Sequence, residues 1–172
     1  MVKAPLDPLE WTVIEEATTI GTDGSIRRRQ GDLVDIIVLI GRIMFVFVFL
    51  SSGLAHFTSR QMMSQYAASK KVPAALPAVL GGGVLLIAGG ISILFGIWAD
   101  VGALLLVIFL LPTAVLIHNF WTVTDPQERM MEMTQFSKDL GLAGAALMLF
   151  AFFAYVGEDL GLTLTGPLFN LR

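Results

Sequence analysis

Apolar residues run almost without interruption through positions 33–55, 76–98, 101–117 and 140–156, and polar residues gather between these runs. As a helix, each run is about long enough to cross the ~30 Å hydrocarbon layer of a bilayer. The pattern predicts an all-α membrane protein, a four-transmembrane-helix antiparallel bundle. Residues 57–75 interleave Arg60, Met62, Met63, Tyr66, Lys70 and Lys71. That mixture predicts a short interfacial helix between the first and second spans, with Met and Tyr toward lipid and Lys in water. Only Ala99-Asp100 separates the second run from the third, so those two helices run antiparallel. The polar stretch 122–135 reads as a connection, and the fourth helix is expected to begin near Phe136. Three regions result: an extramembrane N-terminal arm at 1–31, the transmembrane domain at 32–156, and a C-terminal tail at 157–172 that packs on the bundle end or on a partner.

The polar exceptions then carry the interest. Counting crossings brings the end of the first helix, the end of the third and the start of the fourth to one membrane face. His56, His118, Asn119, Trp121, Lys138 and Asp139 therefore share a rim, and both histidines of the protein are among them. Arg42 lies about 13 Å into the first helix and about 21 Å from His56 at the helical rise. An arginine at that depth costs several kcal/mol unless it pairs or lines a wet cavity. Arg42, His56, His118 and Lys138 are the candidate ligand-binding residues; none is assigned a catalytic role. Asp100 reads as a cap of the third helix. Gly82, Gly89 and Gly96 recur every seven residues and predict a smooth stripe for close helix packing. Gly141, Gly144 and Ala145 mark a second small-residue face, and Pro112 predicts a kink.

Composition narrows the classes. The chain has no cysteine, which excludes disulfides, thiolate metal sites and thiol relay chemistry. Charged residues make up 15% of 172 positions and the net charge is −3, so nucleic acid is not an expected partner. Two histidines without a Glu-x-x-His motif do not make a metal site. Arg27, Arg28 and Arg29 precede the first span and favour cytoplasmic N- and C-termini. In the arm, Trp11 and Ile14 are candidate anchors for a protein partner, set against a loosely ordered tail.

Gly41-Arg42, Ser52-Gly53-Leu54-Ala55-His56-Phe57, Tyr66-Ala67, Val72-Pro73, the glycine-rich second span, His118-Asn119-Phe120-Trp121 and Phe136 with Lys138-Asp139-Leu140 together resemble the DoxX family of small four-helix membrane proteins. The resemblance covers about residues 32–169. It implies a membrane subunit linked to respiratory or redox complexes, in the bacterial cytoplasmic membrane, and it brings quinone forward as a ligand. The leading expectation is a subunit that contacts lipid, clasps other subunits through its arm and tail, and holds quinone near His56, His118 and Lys138, with Arg42 steadying the interior or a deeper part of the ligand. A structural scaffold without ligand and a small transporter or lipid-handling protein stand as alternatives.

Overall fold

A computed structural model describes the backbone of residues 8–171 and the side chains of residues 29–171. The described secondary structure is helical: α1 (Pro8–Thr58), α2 (Arg60–Ser69), α3 (Ala75–Phe95), α4 (Ala99–Leu116) and α5 (Pro126–Val156), with single 3-10 turns at Phe120–Thr122 and Gly157–Asp159. Four segments are long and apolar enough to cross a membrane: Arg29–Thr58, Ala75–Phe95, Ala99–Thr122 and Pro126–Asp159. The chain is a multi-pass membrane protein with a short helix, α2, after its first span.

Two compact units divide the chain, Met1–Val38 and Leu39–Arg172. The first is helical from Pro8, where a loosely ordered arm was one expectation. Proline is preorganised for the first helical turn. The side chains of Trp11 and Ile14, the expected docking anchors, lie outside the described residues.

In the second unit, glycines set the spacing of α3. A Cβ on Gly82 would sit 2.8 Å from the Phe109 ring, and one on Gly89 would sit 2.8 Å from Leu106 and 2.9 Å from the Gly102 carbonyl, both on α4. Gly83 and Gly90 play the same part toward α1, against His56, Phe57 and Leu50. Two adjacent stripes thus let α3 approach two neighbours at once. Gly96 does not belong to the packing stripe. It ends α3 in the left-handed region, with φ 62°, and the turn to α4 is Gly96–Trp98, so Ala99 and Asp100 are already helical. Around Gly141 and Gly144 nothing lies within 4 Å of an added Cβ. The buried apolar residues of α5 are Ala143, Ala146, Phe153 and Ala154 instead.

The fourth span starts earlier than its hydropathy suggests. Asp125 accepts hydrogen bonds from the Gln127 and Glu128 amides, at 3.0 and 2.8 Å, and Pro126 follows it. This N-cap draws ten residues of the expected connection into α5. At 31 residues the helix is about 46 Å long, well beyond the ~30 Å hydrocarbon layer.

After α5 the chain folds back over the α3–α4 turn. Leu164 and Thr165 amides donate to the Phe95 and Gly96 carbonyls, at 3.1 and 3.0 Å. Asp100, fully buried, accepts from the Leu168 and Phe169 amides through Oδ2 at 2.8 and 2.7 Å. Asp100 therefore holds the C-terminal segment rather than capping its own helix. Arg42, 2% exposed, donates from Nη2 to the Leu162 carbonyl at 2.6 Å.

Candidate functional site

Helix alternation brings the ends of α1 and α4 beside α2 and the middle of α5, and a cavity of about 770 Å³ opens among them. Its walls are mostly apolar, with Met63, Val79, Leu85, Ile108, Phe109 and Leu116 among the lining residues. Gly81 and Gly82 leave room on the α3 side. Pro112 lines the α4 side and has no N–H, so the carbonyl of Ile108 loses its ladder donor there.

The polar lining gathers Ser52, His56, Tyr66, Thr113, His118, Lys138 and Asp139. His56, His118 and Lys138 thus border one cavity. Arg42 does not line it, since its guanidinium goes to Leu162 in the C-terminal segment. Asn119 accepts from Lys70 Nζ at 3.4 Å. Trp121 stands half-exposed, edge-on to Phe120 and Phe136.

His56 closes the α1 side. Its Nδ1 lies 2.8 Å from the Ser52 carbonyl, one turn back, and its ring meets Phe109 edge-on with centroids 5.5 Å apart. His118 sits between two carboxylates. Nδ1 is 2.8 Å from Glu132 Oε2, and Nε2 is 3.7 Å from Asp139 Oδ2. The carboxylates face opposite sides of the ring, so they do not converge with it on one point. Among the described residues no group of three His, Asp or Glu is arranged to hold a metal ion.

Glu132, 6% exposed, is the hub of this corner. Its Oε1 accepts from the Tyr66 hydroxyl and, at 3.0 Å, from Lys70 Nζ, while Oε2 takes His118. One carboxylate thereby ties α2 and the end of α4 to α5. The Tyr66 hydroxyl and the Lys70 ammonium both turn to this buried acid on α5, a stronger partner than water, while the Tyr66 ring stays exposed as expected. Burial first, and then the Glu132 carboxylate that accepts its hydrogen, push the Tyr66 hydroxyl above the ordinary tyrosine range. For Lys70, burial works against the charge, yet the hydrogen bond to Glu132 and the charges beside it raise the ammonium pKa.

Glu132 carries no role in the hydropathy pattern, which puts it in a connection. Its signal was present: Glu132 and Asp139 stand seven residues apart, two helical turns, and share a face once α5 is begun at Pro126.

Comparison with known proteins fits this architecture. The DoxX family model matches residues 37–119, a stretch running from α1 to the residue after His118. The chain is 30% identical to the inner membrane protein YphA of Escherichia coli (strain K12) over 114 residues, covering 66% of this chain and 81% of that protein. No solved structure matches. With four spans, the short helix after the first and these matches, the chain belongs to the DoxX family.

Proposed function

We propose that this protein binds a quinone-type molecule, a polar ring on an apolar tail, as an integral membrane subunit of a redox complex. The observation that carries this reading is the cavity: about 770 Å³, mostly apolar, with two histidines and a carboxylate on its walls. Ligand sites of a few hundred to about a thousand Å³, apolar with a few convergent polar groups, are the usual form for amphipathic small molecules. The ring sits by His56, His118 and Asp139, and the tail runs along the apolar walls. His118, placed between two carboxylates, is suited to exchange a proton with a bound head group. Arg42 acts in the bundle rather than on the ligand, holding the C-terminal segment through Leu162. The residue 1–31 arm serves a protein partner, and the termini lie in the cytoplasm of a bacterial cell, in line with Arg27–Arg29 ahead of the first span and with a relative named as an inner membrane protein.

The test is organic extraction of the full chain purified in mild detergent, with mass spectrometry of lipids and of co-purifying proteins. A quinone present in near-stoichiometric amount, and lost in a His56→Ala/His118→Ala double variant, supports the reading. An extract without quinone, together with unchanged partner assembly in the double variant, replaces it with a ligand-free scaffold.

A further inference from the structure

The hydrogen placement around the cavity narrows its occupant. His56 Nδ1 is 2.8 Å from the Ser52 carbonyl oxygen. A carbonyl only accepts, so Nδ1 carries the hydrogen, and in the neutral ring Nε2 presents a lone pair. His56 is 7% exposed, and no carboxylate reaches it among the described residues. Nε2 makes no hydrogen bond among the described residues.

The other polar lining groups have largely given their hydrogens away from the cavity. Tyr66 donates to Glu132, Thr113 Oγ1 to the Phe109 carbonyl at 2.8 Å, and His118 Nδ1 to Glu132. Asp139 is 5% exposed, and the nitrogens beside it, His118 Nε2 at 3.7 Å and Lys138 Nζ at 3.5 Å, lie beyond ordinary hydrogen-bond length. Its oxygens thus keep acceptor capacity. Lys138 is half-exposed and gives one of its three hydrogens to Gln135. The Ser52 hydroxyl serves either role. The buried walls thus offer acceptors, and the donors left uncommitted are the half-exposed Lys138 ammonium and the Ser52 hydroxyl.

We propose that the cavity selects an amphipath whose head donates hydrogen bonds, so that a ring-and-tail ligand is held in its dihydroxy, quinol form in preference to its diketo form. This rests on the ligand class proposed above. Quinol hydroxyls supply hydrogens to His56 Nε2 and Asp139, whereas the diketo form sets lone pairs against lone pairs and leaves buried acceptors unsatisfied.

The experiment is anaerobic calorimetry on the detergent-solubilised full chain, titrated with a decyl-tailed benzoquinone and separately with its chemically reduced hydroquinone. The hydroquinone is expected to bind about tenfold more tightly or better, the scale of one satisfied buried hydrogen bond. His56→Phe removes the acceptor and should bring the two affinities within about threefold of each other. Asp139→Asn exchanges one acceptor oxygen for an amide donor and should move the ratio toward the quinone. If His56→Phe does not fold, as read by gel filtration, Asp139→Asn and the native ratio decide the matter. Equal affinities in the native chain, a tighter quinone, or a ratio unmoved in the folded variants overturns the inference while the ring-and-tail reading stands. Binding of neither ligand overturns both.

Discussion

Glu132 collects three donors through two oxygens, and their removal is the sharpest test at the scale of single residues. Glu132→Ala leaves Lys70 and His118 facing an emptied, buried position. We expect a loss of about 3 kcal/mol, read as a lowered melting temperature in detergent. Glu132→Gln keeps the shape and should cost about half as much. The alkaline limb of stability follows from the same corner. Tyr66 and Lys70 both titrate higher in the folded chain than their ordinary values, so the folded state holds their protons longer. Their contribution is complete below the unfolded pKa values, about 10 for each, and is lost as pH rises through the folded ones. The melting temperature should fall above about pH 10, and the fall should be shallower in Tyr66→Phe. Arg42→Leu should impair assembly far more than Arg60→Leu, since Arg42 is buried on Leu162 and Arg60 is exposed; cell-free insertion followed by gel filtration compares them. His56, His118 and Lys138 could be brought to one rim by counting crossings alone. Glu132, Tyr66 and Lys70 could not, because their roles depend on where α5 begins and on which way a ten-residue helix turns its polar face.

Among the elements, α3 shows why hydropathy alone does not reveal packing. The spacing of Gly82 and Gly89 was visible in the chain, but only the neighbours distinguish a contact glycine from an open one. Gly89→Ala places a methyl group against Leu106 and the Gly102 backbone and should cost about 1–3 kcal/mol. Gly141→Ala meets nothing and should be neutral or stabilising by about 0.5 kcal/mol, since alanine favours a helix interior. Thermal melts of the two variants provide the comparison. Gly96 kept the seven-residue rhythm and yet ends its helix, because the turn needs a residue that tolerates positive φ. The start of α5 departs from the apolar run for a related reason. An apolar run marks where lipid begins, while Asp125-Pro126 marks where the helix begins, and the two differ by about ten residues when a helix extends beyond the hydrocarbon layer.

For the molecule as a whole, the number of spans and the all-helical class were legible because a bilayer imposes both from hydropathy. The C-terminal segment was less so. Its hold on the α3–α4 turn passes through backbone amides and the buried Asp100, which no periodicity announces. Because the native chain lacks cysteine, single cysteines at Trp121 and Glu158 can be labelled without background. Antiparallel alternation predicts reaction from opposite faces of sealed vesicles, and labelling of both from one face would break the crossing count. The bond from Arg42 to Leu162 joins residues 120 positions apart, and this has a consequence for biogenesis. At roughly 5–20 residues per second, the ribosome needs roughly 6–24 s to supply the second partner after the first. Through that interval the bond to Leu162 cannot form, so the fastening of the first span to the C-terminal segment is among the last steps of assembly.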